Sequence, residues 1–188
     1  MYNAVIDAET SDYTTVISTA DLKAHLRVTH SDEDGLISAY RTAACQFVEA
    51  YCNTRLTNVE VYVDFSGFAA LLEIPVGPTI RVNSVQYKTS KTADYTTLDG
   101  SEYYVEKGRK PAVIKLITSP SVDSENPSPV RVSVDTGYQV TPEALVQAVR
   151  FLVAHYYEHR QAAEAASIKE IPLGIFSLME PYRILSFK

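Results

Sequence analysis

The hydrophobic pattern of this chain changes period twice, and that change restricts its fold more than any single motif. Residues 21–56 repeat apolar side chains at helical spacing, in two amphipathic stretches joined by an acidic turn. Residues 59–134 alternate at a period of two and are cut by turns, the mark of short strands. Residues 141–160 return to helical spacing, and a short apolar helix follows near Gly174. The order predicts an α+β fold. Helices from the N- and C-terminal parts form a helical bundle, and an antiparallel β module is inserted between them. The expected division is an N-terminal arm at 1–17, a helical domain of 18–57 plus 138–188, and the β module at 58–137.

Local signals set the expected boundaries. Ser18 or Thr19 caps the first helix, Asp21 sits in its first turn, and Leu22 and Leu26 share a face. Ser31 is the expected cap of the second helix, with Asp32, Glu33 and Asp34 favoured by the helix dipole. Leu36, Tyr40, Phe47, Val48 and Tyr51 give that helix its stripe, and Asn53 and Thr54 end it. Thr141-Pro142-Glu143 reads as cap, first helical position and acid. Leu145, Val149, Leu152 and Tyr156 line the helix that follows, which is apolar over enough of its circumference to be central. Leu22, Leu26, Leu36, Phe47, Val48, Leu145, Val149 and Leu152 are the expected bundle core.

Expected strands cover 59–63, 71–74, 80–87, 103–106, 112–117 and 130–134, forming an antiparallel sheet or small barrel. The stretch TSPSVDSENPSP at 118–129 is the most loop-like, either a functional loop or a hairpin tip.

Composition excludes several classes. With 46% hydrophobic and 21% charged residues the chain can bury a core. It has no apolar run of about 18 residues, so no membrane-spanning helix is expected. The first residues lack the basic-then-apolar order of a secretory signal, so synthesis in the cytoplasm is expected. A net charge of −6 with scattered Lys and Arg argues against a phosphate grip on nucleic acid. Cys45 and Cys52, seven positions apart on one helix, lie roughly 10 Å apart, too far for a disulfide. Tyr is abundant, 13 against 6 Phe and no Trp, which suits either strands or surfaces buried on assembly.

No reactive centre emerges, and no catalytic residue, metal ligand or cofactor is assigned. His155 and His159 are four apart on one helix face, but Tyr156 stands where a zinc protease has its catalytic Glu. A metal-dependent hydrolase using His155, His159 and Glu158 is the rival from a different functional class. The glycines at 67, 77 and 100 are isolated and build no phosphate cradle.

Three segments together carry a resemblance. They are DLKAHLRV at 21–28 with SDEDGLI at 31–37 and the helix through VEAY at 48–51; VTPEAL at 140–145 running into LVAHYYEHR at 152–160; and IPLG at 171–174 with Leu178 and PYR at 181–183. In this order, around a β-rich stretch, the chain resembles the head–tail connector (adaptor, or head-completion) proteins of long-tailed bacteriophages. The resemblance implies a structural role and no enzymatic activity. It implies a homo-oligomeric ring below the portal, usually a dodecamer, continuing the DNA channel toward the stopper and tail proteins. It implies location in the virion at the head–tail interface, after assembly in the host cytoplasm, with DNA passing without sequence-specific binding and no membrane partner. A stopper or tail-terminator ring component is the nearer alternative, and a soluble adaptor unrelated to phage is another. The terminal run at 182–188 is apolar for a chain end. Tyr182, Arg183, Ile184, Leu185, Phe187 and Lys188 are the candidate partner-binding residues, either docking on the portal or packing on their own subunit.

Overall fold

The structure, a computed structural model, describes residues 2–7, 11–159 and 173–185. The fold is α+β, with four α-helices and antiparallel sheets among the described residues. The chain divides into two units. One holds the described residues of 1–11, 58–137 and 184–188, and the other those of 12–57 and 138–183.

In the helical unit, α1 (Thr19–Leu26) starts at Ser18, whose side chain accepts the Asp21 N–H at 3.0 Å. It ends at Arg27, which adopts a left-handed conformation. The second helix, α2 (Asp34–Cys52), does not start on a Ser31 cap. Its N-cap is Glu33, without a side-chain cap bond, and Ser31 instead gives its carbonyl to the Asp34 N–H in the preceding turn. Asn53, also left-handed, closes α2. Asn tolerates this conformation because its short polar side chain is satisfied locally.

α3 (Glu143–Glu158) begins one position later than the sequence suggests. Pro142 is the N-cap, and the Thr141 hydroxyl donates to the Leu56 carbonyl at 2.9 Å instead of capping. α4 (Leu173–Met179) runs into a 3₁₀ turn at Glu180–Tyr182. Arg160, the Ala-rich stretch at 161–167 and Pro172 lie outside the described residues.

α3 packs against α1, α2 and α4. Leu22, Val48, Leu145, Val149 and Leu152 are fully buried in the shared core, Leu26 and Phe47 are partly buried against it, and Leu36 is half-buried. Two charged side chains of α2 sit among these apolar ones. Arg41 donates to the Thr19 hydroxyl and the Ser38 hydroxyl, each at 3.0 Å. Glu49 accepts the Leu56 N–H at 2.8 Å and the Tyr13 hydroxyl at 3.0 Å. Burying a charge is costly unless it is paired or hydrogen-bonded, so these contacts fix the segments on either side of the helices.

The β unit has a five-stranded and a three-stranded sheet, both antiparallel. Its strands are β1 (Tyr2–Asp7), β2 (Val59–Phe65), β3 (Leu71–Ile74), β4 (Thr79–Tyr87), β5 (Thr96–Thr97), β6 (Tyr103–Glu106), β7 (Ala112–Leu116) and β8 (Val130–Thr136). The order is β1-β2-β8-β4-β5 in one sheet and β3-β7-β6 in the other. β1 is hydrogen-bonded to β2, so residues 2–7 form an edge strand. Val61, Val63, Val132 and Val134 of the larger sheet share one core with Leu72, Ile74, Ile114 and Leu116 of the smaller. Residues 118–129 are therefore no hairpin tip. They cross from β7 to β8, between sheets, held where Lys88 accepts the Asp123 N–H and donates its own N–H to the Pro129 carbonyl.

Candidate assembly surfaces

Tyr182, Arg183 and Ile184, near the last described residue, each contact other parts of the chain. In the helical unit, Tyr182 is partly buried against the core. The Arg183 guanidinium lies 4.9 Å from the centre of the Tyr51 ring, a cation–π contact. The Tyr51 hydroxyl donates to Glu180 at 2.9 Å, and that bond to a carboxylate raises its pKa above the usual phenol value. The same ring packs against Phe176 at 5.2 Å. Ile184 belongs to the β unit, 5% exposed, where its Cδ1 occupies the space above Gly77. Leu185 is 54% exposed. Phe187 and Lys188 lie outside the described residues.

A second feature lies in the helical unit, between α3 and α4. An open groove of about 530 Å³ is lined by Phe151, His155 and Glu158 from α3 and by Gly174, Ile175 and Leu178 from α4. Phe151 is exposed at 42%, unusual for a residue in the middle of a core helix, and contacts the His25 ring at 6.2 Å. Single exposed apolar residues are ordinary; an apolar groove with such a residue on its wall is informative. His155 and His159 meet edge to face at 4.8 Å at the same end of α3. Among the described residues no cluster of three or more His, Cys, Asp or Glu is placed to hold a metal ion.

The third feature is the outer face of the three-stranded sheet. Leu71, Lys115 and Tyr104 stand side by side in register across β3, β7 and β6. Ile117 follows two residues after Lys115. Leu71, Tyr104 and Ile117 are 48%, 67% and 56% exposed, half of the exposed large hydrophobic residues among those described. Sequence reading located the strands but missed this face, because the row exists only once three distant strands are in register.

Elsewhere the polar groups serve the fold. Asp64 receives two hydrogen bonds from Arg131, at 2.7 and 2.8 Å, and the guanidinium lies over the rings of Tyr62 and Tyr95. Asp99 caps a 3₁₀ turn by accepting the Ser101 N–H and hydroxyl, which lowers its pKa. Burial pushes the Cys45 thiol up to about 12 and the Cys52 thiol up to about 11, so both are poor nucleophiles.

Comparison with known proteins is consistent along the chain. The family model described as head completion protein matches residues 15–185. No curated protein matches. Among solved structures, the fold is similar to a chain in the neck of an empty gene transfer agent (GTA) particle computed with C6 symmetry. The TM-score is 0.80 at 18% identity, covering 99% of this chain and 98% of that one. It is equally similar to a chain in the virion of a native gene transfer agent particle, with TM-score 0.80, 19% identity and coverage of 99% and 98%. A chain in the neck of the native particle computed with C12 symmetry gives TM-score 0.76 at 19% identity, covering 100% and 97%.

Proposed function

The chain belongs to the head completion protein family, and on that premise we propose that it is a head–tail connector subunit, forming a ring below the portal and continuing the DNA channel toward the tail. It is a structural virion protein and not an enzyme. The observation that carries the reading is the end-to-end agreement of its fold, insert included, with a chain of particle necks computed with C6 and C12 symmetry. A ring requires each subunit to offer two different contact surfaces, and the groove of the helical unit and the sheet face of the β unit are two different exposed apolar surfaces.

Within that ring the helical unit, read as a bundle of 18–57 with 138–188, is the connector domain, and 58–137 is its insert. The partners are the portal on one side and stopper or tail proteins on the other, in a ring of twelve. The net charge of −6 favours passage of DNA over retention, because like charge discourages sticking. Leu185 and the residues after it are the portal-docking element, since they continue from an anchored Ile184 with an exposed apolar side chain.

The test is complementation. Particles made without this chain should stop as DNA-filled heads without tails, and purified chain should restore tail attachment. Cross-linking of the restored particles should join it to the portal. Cross-linking to tail protein alone would move it to a stopper or tail-terminator ring.

A further inference from the structure

We propose that the groove between α3 and α4 is the lateral socket of the ring, and that it receives the Leu71–Lys115–Tyr104 face of a second copy of this chain. The inference rests on the connector reading and names the two surfaces that reading needs. A ring contact is heterologous: the patch on one copy must fit a different patch on the next. This chain has a concave apolar site and a separate outward apolar face. The concave site is walled by Phe151, Ile175 and Leu178. The outward face carries three of the exposed large hydrophobic side chains.

Charge matches as well. Lys115 stands between Leu71 and Tyr104, and among the described residues it has no ion pair. Glu158 lines the groove, is exposed, and likewise has none among them. A lysine in an apolar face and a carboxylate at an apolar groove satisfy each other when the two surfaces meet. The contact thus pairs apolar with apolar side chains and Lys115 with Glu158.

Gly174 gives a clean test. A Cβ placed there meets nothing within 4 Å, so Gly174→Ala is tolerated, whereas Gly174→Phe plugs the groove. With portal-bearing heads as the assembly surface, Gly174→Ala should form rings like the unaltered chain. Gly174→Phe should form them at least about tenfold less efficiently, the loss of roughly one good contact. Independently, a chain carrying Glu158→Cys and Lys115→Cys should oxidise to a ladder of covalent oligomers in assembled necks. Either single variant should give no ladder. Cys45 and Cys52 do not interfere, because both are buried. Normal rings from Gly174→Phe overturn the inference. So do visible rings without a ladder from the cysteine pair, or dimers from Glu158→Cys alone; in each case the connector reading survives. Absence of rings from the unaltered chain on its portal overturns both.

Discussion

Ile184 fills the space that a side chain on Gly77 would need: a Cβ there would come 2.6 Å from the Ile184 Cδ1. The contact anchors the end of the chain on the β unit, because Ile184 is buried while the next residue is exposed. Gly77→Ala should therefore displace Ile184, with a loss of about 1–3 kcal/mol typical of overpacking. Denaturant titration measures the loss. Limited proteolysis should show earlier cleavage after Arg183 than in the unaltered chain.

The anchor also separates two uses of the terminal run. Removing 185–188 leaves Tyr182, Arg183 and Ile184 in place, so the fold should keep its melting temperature while attachment to the portal is lost. Unchanged attachment by such a truncated chain, measured by co-sedimentation with portal-bearing heads, would sink the docking role of the tail.

Glu49 holds two segments to α2 through the Leu56 N–H and the Tyr13 hydroxyl. Glu49→Ala removes that acceptor from both donors, the Leu56 N–H in a buried place and the Tyr13 hydroxyl in a partly buried one. We expect a cost of about 2–4 kcal/mol by chemical denaturation, well above that of an exposed substitution. Glu49→Gln, which keeps one acceptor, should recover part of it.

Two adjacent residues of α3 should behave in opposite ways. Leu152 is fully buried, and Leu152→Ala should cost about 2–5 kcal/mol of stability. Phe151 lies on the groove wall, and Phe151→Ala should change stability far less than that while lowering the yield of rings. Stability by denaturation and ring yield by electron microscopy distinguish the two.

Alkaline pH should expose the buried thiol. The Cys45 pKa rises from 9.0 to about 12, first through burial and then through Glu49. The neutral thiol is thus favoured in the folded state. Its contribution is complete below about pH 9 and is lost as pH climbs toward about 12, because only the unfolded chain ionises early. Stability measured from pH 8 to 11 should fall more steeply for the unaltered chain than for Cys45→Ala. Parallel profiles would contradict the shift.

Much of this fold was legible in the sequence, for local reasons. β3 and β6 begin and end where the period-two pattern and its turns place them, at 71–74 and 103–106. Ser18 caps α1 because an N-cap is decided within three residues. What escaped depended on distant partners. β1 carries little pattern of its own and is a strand because β2 offers an unpaired edge. Residues 118–129 look like a hairpin tip until β7 and β8 are seen in different sheets. Ser31 looks like a cap, but the helix starts past it with Glu33. Arg41 and Glu49 carry no local sign of burial, yet both are buried, at 6% and 7% exposure, beside the segments they bind. The same reason hides the assembly surfaces: the row of Leu71, Lys115 and Tyr104 is set by strand register, and the α3/α4 groove by how two helices pack.

Electron microscopy of the purified chain mixed with its own portal-bearing heads tests the connector role most directly. The account predicts closed annuli of repeated subunits seated on the portal, with a central channel wide enough for duplex DNA. Heads that stay bare while the folded chain remains dispersed, across a range of salt and protein concentration, would contradict it.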